Sequence, residues 1–324
     1  MHEGSTVGEL SEREILARIA ARTGRAAAAE VGVGDDAAVI ASSGRIVATT
    51  DTLVDGPDFR TAWTSGYDLG WKAAAVNLAD VAAMGARPTA LLVALAMPNH
   101  TAVAFVEALA DGLREACEGL APGCAVVGGD LTQSPTLTVA VTALGDTEGR
   151  DAVLRSGAEV GEVVAIAGEM GVSARGLDVL FARFRDADGD PVPVRPDELD
   201  ADELRAVEMQ LRPQPPIGLG PVAAMMGATA MMDVSDGLGL DATRLANASG
   251  VSVDLDAAAL GADPALALRG GEDHALLATF REGALPPGFR AIGRVVPEHA
   301  APLLVDGSPY AGPLGWDPYR DWSA

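Results

Sequence analysis

Residues 68–86 read DLGWKAAAVNLADVAAMGA, and this stretch decides how the first half of the chain folds. Apolar residues recur on both sides of it at the spacing of an α-helix, and Asp80 is one of the few polar residues among them. A helix that is apolar all round is buried, so we expect Asp80 to be buried with it. An isolated buried carboxylate is costly to desolvate, and Asp80 therefore needs a cation or hydrogen-bond donors.

Strand and helix patterns alternate without a regular order on either side of this helix. Working outward, the first half is predicted to contain a helix at 9–22, strands at 37–40 and 45–50, a strand at 89–97, a helix at 101–120, a strand ending at 128–130 and a strand at 136–144. The second half is predicted to contain strands at 163–167, 230–234 and 275–280, and helices within 168–177 and at 239–248. This order predicts a mixed α+β or α/β fold.

A Gly- and charge-rich stretch at 145–162 indicates a boundary between two domains. We therefore expect domains at 1–148 and 149–324. Residues 185–203 are acidic and Pro-rich, which is typical of a surface excursion.

Composition excludes several classes of function. The formal charge of -23 argues against a nucleic-acid surface or an anionic membrane as partner. Lys72 is the only lysine, which excludes a Walker A phosphate loop and a protein-kinase lysine. No apolar run is long and uninterrupted enough for a membrane helix, and the expected location is the cytoplasm, with Cys117 and Cys124 as buried, reduced thiols.

The informative acidic residues stand at predicted strand ends and glycine turns. They are Asp35, Asp36, Asp51, Asp130, Asp233 and Asp236, in addition to Asp80. One lysine and a few arginines cannot neutralise so many carboxylates in apolar surroundings, whereas Mg²⁺ prefers hard oxygen ligands and is bound by carboxylates together with substrate phosphates. The pattern therefore predicts several magnesium ions.

Glycine turns and hydroxyl groups accompany these aspartates. Gly-rich turns at 32–34, 128–129, 168–171 and 270–271 would let backbone N–H groups approach phosphate oxygens. Thr49, Thr50 and Ser235 would add hydroxyl ligands. The four histidines are scattered and form no metal or triad pattern, so no general base is expected.

Eight segments in order resemble the thiamine-monophosphate kinase family, in the superfamily of aminoimidazole ribonucleotide synthetase, selenophosphate synthetase and the hydrogenase maturation dehydratase. The segments are GVGDDAAVI (32–40), TTDTLVDG (49–56), KAAAVNLADVAAMGA (72–86), VVGGDLT (126–132), LRSGAEVGE (154–162), LRPQP (211–215), DVSDGL (233–238) and GGEDHAL (271–277). The resemblance covers nearly the whole chain.

This resemblance implies a two-domain fold like that of aminoimidazole ribonucleotide synthetase, a homodimer formed through the N-terminal domains, and an ATP cleft between the domains. It implies magnesium ligands at Asp36, Thr49, Thr50, Asp51, Asp80, Asp130, Asp233 and Asp236. It implies ATP contacts at Gly129, Asp130, Arg155 and Ser235, and substrate contacts at Asp58, Glu272 and Trp316. Trp316 suits stacking on the thiamine ring system.

Three departures from the family pattern bear on the site. Asp58 stands where relatives often have a histidine that contacts the substrate phosphate, so Asp58 would act there only through a metal. The glycine turn Gly168–Leu177 lacks the usual proline, and Pro216 replaces a usual arginine.

The activity so implied is direct in-line phosphorylation of thiamine monophosphate by ATP, without a general base because a phosphate oxygen is already ionised near neutral pH. Two alternatives remain: a ligase like aminoimidazole ribonucleotide synthetase, and a non-catalytic nucleotide-binding regulator. The departures at Asp58 and Pro216 are the features that favour the regulator.

Overall fold

The computed structural model describes residues 5–33 and 37–316. The chain forms two compact units. Each unit also includes one short segment whose neighbours in sequence belong to the other unit. Unit 1 comprises Met1–Val81, Pro88–Gly149 and Leu180–Pro196, and unit 2 comprises Ala82–Arg87, Arg150–Val179 and Asp197–Ala324. A single domain boundary after residue 148 therefore stays a proposal.

Unit 1 is built on a four-stranded sheet in the order β3-β6-β4-β5. Its strands are β3 (Ile46–Val54), β4 (Arg87–Met97), β5 (Val126–Gln133) and β6 (Thr138–Asp146), and a separate two-stranded sheet contains β1 (Ala29–Val31) and β2 (Val39–Ile40). β3 and β6 are antiparallel over their whole length, from Ile46 opposite Asp146 to Val54 opposite Thr138. β4 and β5 are parallel, and a helix connects them, as parallel neighbours require.

Two long helices of unit 1, α2 (Gly66–Ala83) and α3 (Val103–Leu120), approach each other closely through glycines. A Cβ atom on Gly70 would lie 2.0 Å from the Leu109 carbonyl oxygen, and one on Gly112 would lie 2.1 Å from that of Tyr67. No other residue type fits at either position without moving the backbone. The short helix α1 (Glu12–Ala20) is linked to α3 by ion pairs from Arg18 and Arg22 to Glu107.

Unit 2 contains a seven-stranded sheet in the order β13-β12-β9-β11-β7-β10-β8. The strands are β7 (Val163–Ala167), β8 (Ala230–Val234), β9 (Ser252–Leu255), β10 (Ala275–Phe280), β11 (Arg290–Val296), β12 (Leu303–Val305) and β13 (Ser308–Pro309). The helices that follow Arg150 are α4 (Val172–Arg183, whose last turn belongs to unit 1), α5 (Ala201–Leu211), α6 (Leu219–Met225), α7 (Leu238–Ser249) and α8 (Pro264–Arg269). Buried apolar side chains of β7, β8 and β10 contribute to two separate clusters. Along each of these strands, successive residues belong alternately to one cluster and to the other.

The predicted mixed fold is confirmed, and β7 and β8 have the predicted bounds. Two expectations were wrong. β5 does not end at Gly128-Gly129-Asp130 but continues to Gln133, because paired glycines in an edge strand read like a turn in sequence. Asp80 is half-buried rather than buried, although its neighbours on α2 are almost all buried. No helix in the described ranges has the length and apolarity needed to cross a bilayer.

Candidate functional site

In unit 1, β3 and α2 bring three candidate residues together. The Thr49 hydroxyl donates a hydrogen bond to Asp80 Oδ2 at 2.7 Å. The Asp51 backbone N–H donates to Asn77 Oδ1 at 3.1 Å, and Asn77, which is 1% exposed, donates through its own amide to the Ala73 carbonyl. Side chains alternate along a strand, so Thr49 and Asp51 share one face of the sheet. Asn77 is a positioning residue that the sequence reasoning missed, because a polar residue in an apolar helix gives no sign of its partner.

Thr50 lies on the opposite face of β3. Its hydroxyl donates to the Val141 carbonyl at 2.9 Å and lies 3.3 Å from the Thr142 hydroxyl. The hydroxyl is thus engaged within the sheet, and the metal-ligand role expected for Thr50 stays a prediction.

Gly129 and Asp130 lie in the edge strand β5. A Cβ atom on Gly129 would lie 1.9 Å from the Val93 carbonyl oxygen, so only glycine allows β5 to pair with β4 at this point. Asp130 is exposed, and its position is opposite Ala94. Asp36, with Gly34 and Asp35, lies outside the described residues. Among those that are described, no three His, Cys, Asp or Glu residues are grouped so that they could hold a metal ion.

Asp58 closes the turn that follows β3. Its Oδ2 atom accepts a hydrogen bond from the Val54 backbone N–H at 2.8 Å, and the Gly56 N–H donates to the Phe59 carbonyl at 2.7 Å. The exposed Asp58 carboxylate therefore has a structural role in this turn.

In unit 2, the turn after β8 is held by two other segments of the chain. The Glu272 N–H donates to the Ser235 carbonyl at 2.8 Å, and the Trp316 N–H donates to the Asp236 carbonyl at 2.8 Å. Four predicted site residues, Ser235, Asp236, Glu272 and Trp316, are thereby brought together. The Trp316 side chain is 47% exposed, which leaves its ring accessible to a ligand.

The GGEDH turn is constrained to an unusual backbone conformation. Glu272 and His274 have φ values of 63° and 52°, in the left-handed region that non-glycine residues rarely occupy. A Cβ atom on Gly271 would lie 2.3 Å from the Ser235 carbonyl oxygen, so glycine is needed there for close approach. Strained residues of this kind persist where the surrounding contacts fix them, and they are frequent at functional sites.

Buried charge is concentrated at the same turn. Asp233 is 3% exposed, and its Oδ2 atom lies 3.1 Å from His274 Nδ1, which is also buried. The Glu272 carboxylate accepts a hydrogen bond from the Gln210 side-chain amide. Both carboxylates are thus oriented by neighbouring side chains. Side chains that bind metals are commonly held in place by hydrogen bonds of this kind.

Asp241 of α7 is a buried acidic residue that the sequence reasoning did not single out. Its Oδ2 atom accepts hydrogen bonds from the N–H groups of Asp236 and Gly237, and Arg244 Nη1 bridges Asp241 Oδ1 at 2.7 Å and Asp236 Oδ2 at 2.6 Å. Burial, and then the charge of Asp233, raise the pKa of Asp241 to about 6. The sequence signal was an acidic residue on an apolar helix with an arginine three positions later.

Arg155 is not joined to this turn by a hydrogen bond in the described structure. Its carbonyl accepts a hydrogen bond from the Ser249 hydroxyl at 3.2 Å, and its side chain is exposed. The ATP contact implied for Arg155 stays a prediction.

The donor set of both units suits magnesium. Carboxylate and hydroxyl oxygens predominate, and these are the hard ligands that Mg²⁺ prefers. In unit 2 the pKa of Asp241 is raised partly by the charges of Asp233 and Asp236, so the three carboxylates repel one another and a divalent cation would relieve that repulsion.

Comparisons with known proteins agree with this arrangement. The family model "AIR synthase related protein, N-terminal domain" matches residues 34–147. Thiamine-monophosphate kinase of Mycobacterium tuberculosis is 42% identical over 335 residues, which cover 98% of this chain and 95% of the relative. The chain belongs to the thiamine-monophosphate kinase family. Membership makes it an enzyme, a kinase.

Solved structures agree with this family assignment. The structure of AaThiL complexed with AMPPCP and TMP is 33% identical in sequence. The match covers 88% of this chain and 91% of the AaThiL chain, with a TM-score of 0.74. The hydrogenase maturation protein HypE of E. coli, at 17% identity, has a TM-score of 0.67 over 96% of this chain and 99% of its own. The likeness to HypE shows only that the two proteins share a fold.

Proposed function

We propose that this protein transfers the γ-phosphoryl group of ATP to thiamine monophosphate and so forms thiamine diphosphate. The observation that carries the proposal is the turn of unit 2 at which Asp233, Ser235 and Asp236 meet Glu272 and Trp316. Carboxylates for metal–phosphate binding and an exposed aromatic ring for a planar cation are thus combined in one place. The family supports it, since relatives carry the name thiamine-monophosphate kinase and AaThiL was solved with AMPPCP and TMP.

The transfer is direct and in line, and the protein contributes positioning and charge neutralisation. Magnesium, when bound, neutralises the negative charge of the two phosphates that must be brought together. Its proposed ligands are Asp36, Thr49, Thr50, Asp51, Asp80, Asp130, Asp233 and Asp236. A phosphate oxygen of the acceptor is largely ionised at neutral pH because its second pKa is about 6, so no side chain has to remove a proton.

The remaining residues bind and orient the two substrates. Ser235, Arg155, Gly129 and Asp130 are proposed to contact the nucleotide. The Trp316 ring stacks on the thiamine rings, and Glu272, oriented by Gln210, faces the cationic thiazolium. Asp58, an anion that holds the turn after β3, is proposed to contact the substrate only through a metal.

We also propose that the protein is a cytoplasmic homodimer that associates through unit 1. A cleft of ≈ 1010 Å³ beside the edge strand β5 is lined mainly by apolar side chains, among them Leu16, Leu92 and Leu131. An apolar surface next to an unpaired strand edge favours pairing with another chain. Cys117 and Cys124 are both free and buried, as is usual in a reducing compartment.

A coupled assay with purified protein, ATP and magnesium tests the activity. We expect thiamine diphosphate to form in proportion to ADP. If formylglycinamidine ribonucleotide supports ADP release and thiamine monophosphate does not, the chain is instead a ligase of the aminoimidazole ribonucleotide synthetase type. ATP binding without turnover of either acceptor would identify a regulator.

A further inference from the structure

Acidic residues outnumber basic ones by 46 to 23, and several arginines of this protein pair with carboxylates. Ion pairs to Asp or Glu are formed by Arg18, Arg22, Arg114, Arg205, Arg212, Arg244, Arg269 and Arg294. Two arginines of unit 1, Arg60 and Arg185, form no such ion pair within the described ranges and lie against the same aromatic ring.

The aromatic ring is that of Phe181. The guanidinium carbon of Arg60 lies 4.7 Å from the Phe181 ring centroid and 4.9 Å from that of Trp63, so Arg60 contacts two rings. The guanidinium carbon of Arg185 lies 5.5 Å from the Phe181 centroid. Trp63 and Phe181 pack edge to face, and the Trp63 indole N–H donates to the Phe184 carbonyl at 3.0 Å, which fixes the rings that hold both cations.

Among the residues that the structure describes, these two guanidinium groups have no carboxylate partner. Within 5–33 and 37–316, no side chain or carbonyl accepts a hydrogen bond from the Arg60 guanidinium, and Arg185 donates only through Nε, to the Gly189 carbonyl. The nearby Asp55 instead accepts a hydrogen bond from the Thr61 N–H. Burial and then repulsion by Arg185 lower the pKa of Arg60, and Asp55 only partly opposes this. A bound anion would supply the missing negative charge.

We propose that Arg60 and Arg185 form a binding site for a phosphate group. The guanidinium faces stack on aromatic rings, so the N–H edges remain available, and the planar fork of arginine matches a phosphate better than any other side chain does. Arg60 follows the turn after β3, the strand that carries Thr49 and Asp51. On the proposed function, the bound group is the phosphate of thiamine monophosphate, which the anionic Asp58 cannot neutralise.

Stacking alone would give these residues a purely structural role, in holding Leu180–Pro196 onto unit 1. Four variants separate the two roles. Arg60→Gln and Arg185→Gln remove the charge, and Arg60→Lys keeps the charge but removes the fork. Arg18→Gln is the matched control. It removes one exposed arginine charge from the same unit, at a position far in sequence from Trp63 and Phe181.

Calorimetry with inorganic phosphate, and separately with thiamine monophosphate, is performed without ATP or magnesium. We expect both Arg→Gln variants to weaken binding by about ten- to a hundredfold, the effect of losing one hydrogen-bonded charge pair. Arg60→Lys should lie in between, and Arg18→Gln should bind like the parent. If the exposed Arg185→Gln variant keeps the melting temperature and binds phosphate normally, the site does not exist.

Steady-state kinetics decide whether the phosphate belongs to the acceptor. We expect KM for thiamine monophosphate to rise about ten- to a hundredfold in Arg60→Gln while KM for ATP stays within about twofold. An equal rise in KM for ATP would overturn the assignment to the acceptor. If the parent protein does not phosphorylate thiamine monophosphate at all, the proposed function fails, and the phosphate titration still decides the site.

Discussion

The two units hold their carboxylates in different ways. In unit 2, Asp233 and Asp241 are buried, and the turn between them is fixed by hydrogen bonds from the segments around Glu272 and Trp316. In unit 1, Asp51 and Asp130 are exposed on strands, and Asp80, which is half-buried, accepts a hydrogen bond from Thr49. The two carboxylates of unit 2 are therefore enclosed by the protein, whereas two of these three in unit 1 are open to solvent.

Two aspartates show the same contrast in their pKa values. Burial raises the pKa of Asp241 in unit 2 to about 6, with Asp233 adding to the effect. In unit 1, burial alone would raise the pKa of Asp146, yet hydrogen bonds from Ser43 and Glu148 lower it to about 2. Hydrogen bonds satisfy Asp146, whereas Asp241 has two backbone hydrogen bonds and an ion pair to Arg244, and burial together with the charges of Asp233 and Asp236 still raises its pKa.

The largest expected effect is on turnover, in Asp51→Asn. Asp51 is exposed, so we expect the melting temperature to stay within about 2 °C while kcat falls by about a hundredfold or more, the size of effect seen when a group that stabilises transition-state charge is lost. Near-normal kcat would remove Asp51 from the proposed metal site.

Gly271→Ala tests the rigidity of the unit 2 turn. The added methyl group would lie 2.3 Å from the Ser235 carbonyl oxygen, and we expect a loss of about 1–3 kcal/mol in the free energy of unfolding. The matched control is Gly32→Ala in unit 1, where no atom of the described residues lies within 4 Å of the added methyl carbon, and the loss should stay below about 0.5 kcal/mol. Equal unfolding curves for the two variants in urea would show that the turn adapts.

Magnesium and ATP should stabilise the folded protein, because bound magnesium offsets the repulsion between the carboxylates. We expect the melting temperature to rise by several degrees at saturating Mg–ATP, because a ligand that binds only the folded state stabilises it by mass action. Scanning fluorimetry with and without EDTA measures the shift. An unchanged melting curve would contradict the metal site in both units.

Asp146→Asn should have the smallest effect, and that effect depends on pH. The folded-state pKa lies below the unfolded value, so the ionised carboxylate contributes stability above about pH 4 that is lost as the pH falls toward 2. We expect the variant to be less stable than the parent at pH 7 and the difference to close between pH 4 and 2. Urea unfolding at several pH values measures this, and a constant difference would disprove the role of the Ser43 and Glu148 bonds.

Local patterns predicted much of the fold, whereas the roles assigned to the site residues stay predictions. The apolar periodicity of α2 and the short apolar strands β7 and β8 were readable, since each buries a whole face or a whole strand. The turn of Asp233–Gly237 was also readable, because Asp, Ser and Gly directly after a short apolar strand are typical turn residues.

Features that depend on distant contacts could not be predicted. Arg60 and Phe181 are far apart in sequence, and no local pattern announces that they touch. The paired glycines of β5 suggested a turn. Gly129 is needed there because its backbone closely approaches that of Val93 in the neighbouring strand, which the local sequence does not show. The hydrogen bond that connects Asn77 to Asp51 is likewise invisible until strand and helix are packed.

The segment Leu180–Pro196 has a consequence for the order in which the protein is made. Trp63 is buried in unit 1, yet Phe181 and the Phe184 carbonyl that contact it are translated only after the first strand of unit 2. The Trp63 indole N–H therefore gains its acceptor only after residue 184 has been translated. Unit 1 is thus complete only once Leu180–Pro196 has been added, and it cannot finish folding before part of unit 2 has been made.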